Sequence, residues 1–140
     1  MALLRAREAV MARFRPILRD QGLTEQQWRI IRALEGEDDL DISTLADRTL
    51  LLMPSLTRIL SGMEEAELIR RVTDTQDARR RRVRLSRKGR TVFRHVAPLS
   101  EAAYAEIEAG LPGGQLSTLY GLLDALEPES HGEKTGRLQK

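Results

Sequence analysis

With 140 residues, 41% hydrophobic composition and no cysteine, the chain has apolar material for one domain with a real core, and it lacks disulfides, thiol nucleophiles and cysteine redox switches. A net charge of +2 conceals strong segregation: Ala78 through Ser100 contains no acid, whereas Arg79, Arg80, Arg81, Arg82, Arg84, Arg87, Lys88, Arg90 and Arg94 all fall inside it, which points to an anionic partner, nucleic acid or membrane lipid. No run of about 18 apolar residues and no signal-like N-terminus is present, so a cytoplasmic protein is expected, and His95 and His131 stand too far apart to suggest a metal site.

Leu3, Leu4, Val10, Met11, Phe14, Ile17 and Leu18 recur at helical spacing, and Gly22 stops that helix. Thr24 followed by Gln27 reads as a capping box opening a second helix with Trp28, Ile31 and Leu34 on its apolar face. Gly36, Glu37, Asp38 and Asp39 predict a polar turn. Asp41 caps a short helix containing Ile42, Leu45 and Ala46, and Pro54 marks the first turn of another. In that next helix Leu56, Ile59, Leu60 and Met63 share one face, leaving Pro54, Ser55, Thr57, Arg58 and Ser61 toward the outside.

A short helix, a turn and a second helix make a helix-turn-helix. Its outward set suits a major groove: small side chains let the helix sink in, and Arg58 can donate two hydrogen bonds to a guanine edge. An ordinary helix hairpin with a solvated face is the competing reading at this point. Leu68–Thr73 and Arg81–Leu85 then predict two short strands joined by a turn, the winged arrangement, with the arginines gathered at the hairpin tip for phosphates and an adjacent minor groove. Beyond the wing, Val92, Phe93, Val96, Leu99, Ala103, Ile107 and Leu111 form a long helical stripe. After Pro112, Gly113 and Gly114, Leu116, Leu119, Leu122, Leu123 and Leu126 form another. With the first helix, these exceed what one small winged domain needs, so a homodimer joined through both chain ends is expected, against a self-contained helical bundle.

The stretch LADRTLLLMPSLTRILSGMEEAELIRRVTDTQDARRRRVRLSRKG resembles the DNA-binding region of the MarR family of bacterial transcription regulators, and the similarity spans roughly residues 3 to 126. The family's wing pattern of Asp, any residue, Arg, Asp, any residue, Arg is matched by Asp74, Thr75, Gln76, Asp77, Ala78 and Arg79, with Leu85 and Gly89 at the usual distance. The resemblance implies that Arg79 enters the minor groove or is braced by Asp77, and that Pro54, Ser55, Thr57 and Arg58 face the bases. Two positions depart from the pattern. Gln76 replaces an arginine, so that Arg80 to Arg82 take over its charge, and Glu67 stands where a helix-ending glycine is usual. LLRAREAVMARFRPILRDQGLTEQQWRIIRALE with MPSLTRIL is similar to the subgroup of this family that controls homoprotocatechuate degradation.

The expected fold is mainly α with a small β-hairpin wing: a winged helix-turn-helix over about residues 24–90, flanked by dimerisation helices at about 3–21 and 90–127, all one domain of residues 1–127, followed by a disordered tail at 128–140. The expected function is a homodimeric repressor on a pseudo-palindromic double-stranded operator. Nonspecific architectural DNA binding and control by a protein partner remain alternatives. No catalytic set and no cofactor is expected, because Cys is absent, the two His are isolated and no Gly-rich phosphate loop occurs. The subgroup resemblance implies a small aromatic carboxylate effector such as a hydroxyphenylacetate. Met11, Phe14 and Arg15 of the first helix and Trp28 and Arg29 of the second are the expected pocket, with a guanidinium holding the carboxylate.

Overall fold

Six helices and three strands follow one another in the computed structural model, which describes residues 1–73, 81–113 and 115–126. They are α1 (Ala2–Asp20), α2 (Glu25–Leu34), β1 (Leu40–Asp41), α3 (Ile42–Thr49), α4 (Met53–Glu65), β2 (Ile69–Thr73), β3 (Arg81–Leu85), α5 (Arg87–Ala109) and α6 (Gln115–Asp124). The chain divides into two compact units, Met1–Tyr104 and Ala105–Lys140.

Local chemistry explains the helix starts. Thr24 and Gln27 close the capping box in both directions, the Gln27 amide donating to the Thr24 hydroxyl at 3.2 Å and the Thr24 amide to Gln27 Oε1 at 2.9 Å. Asp41 accepts from the Thr44 amide at 2.9 Å and from its hydroxyl at 2.6 Å, and these bonds hold the Asp41 carboxyl below its ordinary range. Ser86 performs the same task for α5, accepting from the Gly89 amide at 2.9 Å.

Three helix ends share one geometry. After α1, α3 and α4, a residue in the left-handed region lets the next amide reach back five residues: Leu23 to Leu18, Leu51 to Ala46 and Leu68 to Met63. Glycine supplies this conformation only at Gly22, with φ +67°; at the other two ends Leu50 (φ 52°) and Glu67 (φ 60°) adopt it. Glu67 therefore preserves the turn that a glycine there would make, at a cost of about 1 kcal/mol.

The wing carries one strand more than periodicity predicts. Two-residue β1 pairs antiparallel with β3, Leu40 opposite Val83 and Asp41 opposite Arg82, giving a sheet of order β1-β3-β2 rather than a free hairpin. β2 pairs with β3 from Ile69 opposite Leu85 to Thr73 opposite Arg81. A two-residue strand shows no alternation of its own, so only its partner reveals it. Ile69, Val83 and Leu85 turn one face of the sheet into the core, against Ile30, Ile31, Leu34, Leu45, Leu56, Leu60, Met63 and Val96. Each such side chain contributes about 1.5–3 kcal/mol on burial. The last expected helix is α6, and Leu126 lies past its end, as Leu111 lies past α5. No residue of α6 is buried. The expected tail, residues 128–140, lies outside the described residues.

Candidate nucleic-acid interface

The outward edge of α4 is built by its own apolar face. Leu56, Leu60 and Met63 are fully buried, and this fixes the helix rotation so that Pro54, Thr57, Arg58 and Ser61 are exposed while Ser55 is half-buried. Two hydroxyls fold back onto the helix: Thr57 Oγ1 donates to the Met53 carbonyl at 2.9 Å and Ser61 Oγ to the Thr57 carbonyl at 3.1 Å. Thr57 Oγ1 keeps its lone pairs as acceptors, whereas Ser61 Oγ already accepts from Arg71 Nη2 at 2.9 Å. Arg58 makes no hydrogen bond or ion pair among the described residues, which suits a side chain whose partner lies in another molecule. Leu50 and Leu52, 84% and 79% exposed in the turn before α4, add apolar surface beside Pro54 of a kind that matches thymine methyls. Helical periodicity alone did not single these two out.

Where the wing arginines sit differs from one to the next. Arg81 is exposed at the start of β3. Arg82, expected to meet phosphate, is half-buried with its guanidinium on Asp39: Nε donates to the carboxylate and Nη2 to the Asp39 carbonyl at 3.3 Å. The β1–β3 register sets Arg82 opposite Asp41, next to the acidic turn, and this brings the pair together. Arg82→Ala is accordingly expected to lower stability by about 1.5–3 kcal/mol, the range for hydrogen bonds to charged groups. Urea unfolding checks this, and an unchanged midpoint with a reduced salt dependence of DNA binding would return Arg82 to the phosphates. Gln76, Asp77, Arg79 and Arg80 lie outside the described residues. Lys88 caps the exit of α4, its Nζ donating to the Ala66 carbonyl at 2.8 Å.

The residues expected to line an effector pocket do not gather around one guanidinium. Phe14 is buried and meets Tyr104 with ring centroids 4.5 Å apart, Trp28 is buried and stacks on Phe93 at 5.7 Å, and Met11 is half-buried. Arg29 turns toward the helix-turn-helix and donates to the Thr49 carbonyl at 2.9 Å, tying α2 to the end of α3. Arg15 is held by two acids, Glu8 at 2.6 Å and Glu25 at 2.7 Å, and Arg7 reaches the same two carboxylates. The hydrogen bond from Arg15 holds the Glu8 carboxyl below its ordinary range. Arg32, one helical turn beyond Trp28, is the guanidinium beside the aromatic residues: it is exposed, lies 5.9 Å from the Tyr104 ring centre and 3.5 Å from its hydroxyl, and meets no carboxylate among the described residues. The Trp28–Arg32 spacing was visible in the sequence, whereas Tyr104 lies 72 residues from Arg32 and carried no signal.

The helix-turn-helix of α3 and α4, with the hairpin of β2 and β3 directly after it and β1 completing the sheet, is a winged helix-turn-helix. The model of the MarR family matches residues 21–80. Over 124 residues the chain is 40% identical to the homoprotocatechuate degradative operon repressor of Escherichia coli, covering 89% of this chain and 84% of that one. The chain belongs to the MarR family. Among solved structures, the transcriptional regulator PA4135 superposes with a TM-score of 0.82 at 37% identity, covering 91% of this chain and 96% of that one. NadR in complex with 4-hydroxyphenylacetate superposes with a TM-score of 0.77 at 38% identity, covering 89% of each chain. This MarR-family protein is thus a transcriptional repressor with a DNA-binding winged helix. No helix among the described residues is long and apolar enough to cross a membrane, and no group of three or more His, Cys, Asp or Glu among them is placed to hold a metal.

Proposed function

We propose that the protein is a homodimeric repressor that reads a pseudo-palindromic operator through α4 and the wing, is released by a small aromatic carboxylate of the hydroxyphenylacetate class, and controls an aromatic catabolic operon. Arg58, exposed on the outward edge of α4 and without a partner among the described residues, carries the DNA-reading half. Self-association is supported by apolar surface at both chain ends. On α1, Leu3 and Leu4 are exposed; on α6, which buries none of its residues, Leu119, Leu122 and Leu123 are exposed. A two-fold dimer sets two recognition helices in successive major grooves, so half-sites roughly 10 bp apart are expected.

The effector half draws on likeness to NadR, solved with 4-hydroxyphenylacetate, and to the E. coli repressor. The position of Arg32 adds a physical reason. A carboxylate approaching Arg15 competes with two acids already bound, whereas at Arg32 it meets an exposed guanidinium over an aromatic ring, with Phe14 behind it. The test uses a duplex enriched from a randomised pool by the wild-type protein. It should bind as a complex with two protein chains, about a thousandfold or more tighter than a scrambled duplex at fixed salt, and 4-hydroxyphenylacetate should release it. Arg32→Ala should abolish release while leaving ligand-free DNA binding near wild type, and Arg15→Ala should still respond. Calorimetry showing no binding of any hydroxyphenylacetate would reject the effector half; equal affinity for the two duplexes would favour an architectural DNA binder.

A further inference from the structure

Arg71, on the wing, joins it to α4 through two hydrogen bonds and one ion pair. It is the third residue of β2, on the same face as buried Ile69, so its side chain points toward α4. Its Nη2 donates to Ser61 Oγ at 2.9 Å and its backbone amide to Glu64 Oε1 at 3.3 Å, while Nε lies 3.1 Å from Glu64 Oε2 without the alignment of a hydrogen bond. Ser61 in turn bonds the Thr57 carbonyl, and Thr57 bonds that of Met53, so the contact touches the whole wing-facing edge of α4. An open cleft of about 460 Å³ lies beside the N-terminal part of that edge, lined by Met53, Thr57 and Leu60 of α4, by Asp41, Ile42 and Ser43 at the start of α3, and by Arg71 and Arg81 of the wing.

We infer that Arg71 is a positioning residue for DNA reading: by gripping Ser61 and Glu64 it sets the angle between α4 and the wing, so that groove and wing contacts fall on the same half-site. The inference rests on the reading that α4 enters the major groove. Glu64 makes it testable, because an exposed acid on the helix that enters the groove is unfavourable for phosphate by charge alone, and its presence here has a structural reason in Arg71. A lysine at position 71 keeps the charge but lacks the planar fork that spans two partners.

The experiment measures R71K and E64Q against the enriched duplex and a scrambled duplex of equal length, at several salt concentrations, with thermal unfolding as a check on folding. R71K is expected to lose about tenfold in the ratio of enriched to scrambled affinity, with an unchanged salt slope. E64Q is expected to bind the scrambled duplex more tightly and yet lose part of the same ratio, which no purely electrostatic role for Glu64 produces. S61A should lose part of the ratio without altering charge. If R71K and E64Q keep the wild-type ratio, or if R71Q weakens both duplexes equally and lowers the salt slope by about one, Arg71 is a structural residue or a phosphate contact and the inference fails. A pool that yields no enriched sequence would overturn the DNA-reading function itself, and this inference with it.

Discussion

Gly89→Ala is expected to destabilise the winged domain by about 3 kcal/mol, a large share of the roughly 5–15 kcal/mol that holds such a domain together. A Cβ at this position would stand 2.1 Å from the Leu68 carbonyl oxygen and 3.1 Å from its carbon, with Leu85 Cδ2 at 3.2 Å. The obstruction is backbone, so no rotamer change relieves it. Nor does the backbone have slack on either side. The Leu68 carbonyl accepts the Ser86 amide at 3.0 Å, the Ser86 hydroxyl donates to the Glu67 carbonyl, and the Gly89 amide donates to Ser86 Oγ. Relief requires α5 to move away from the start of β2, breaking the α5 cap and displacing the strand that carries Arg71. Urea unfolding should show a lower midpoint with an unchanged slope, and a wild-type midpoint would mean that the junction yields at little cost. The family pattern places a glycine here, and this close approach of helix to carbonyl is a sufficient reason for it.

Arg58→Ala is expected to cost about 1–3 kcal/mol on the enriched duplex, concentrated at one base position in each half-site. The folded state should be indifferent, because among the described residues Arg58 has no partner to lose. Thermal unfolding should therefore match the wild type, while competition with duplexes substituted at each position should show preference relaxed at one of them. A uniform loss across all positions, with a smaller salt slope, would move Arg58 from base to phosphate. The contrast with Arg82 is sharp. Both are arginines of the winged helix-turn-helix, yet one is exposed and without a partner among the described residues, whereas the other is committed to Asp39.

What could be read from the sequence was whatever local chemistry decides. The capping box at Thr24 and Gln27, the cap at Asp41, the proline in the first turn of α4 and the left-handed Gly22 each act within a few residues, so their letters and their geometry coincide. The buried face of α4 and the strand Arg81–Leu85 followed from periods of 3.6 and 2. Only the tertiary structure decided which charges are free. In the sequence, Arg71, Arg81 and Arg82 are three similar cations, the last two inside the acid-free window and the first a few residues before it. In space, sheet register hands Arg82 to an aspartate 43 residues away, and the pleat turns Arg71 onto Glu64 and Ser61, leaving Arg81 exposed. The same holds for the aromatic region. Arg15 and Arg29 were the guanidiniums expected at the pocket, but Glu8 and Glu25 converge on the first and the second bonds the Thr49 carbonyl, while α5 brings Tyr104 beside Arg32, which the sequence did not single out. A one-dimensional pattern fixes which side chains share a face of one element. It does not say which face of another element will be packed against it, and the partner of a long flexible cation is settled there.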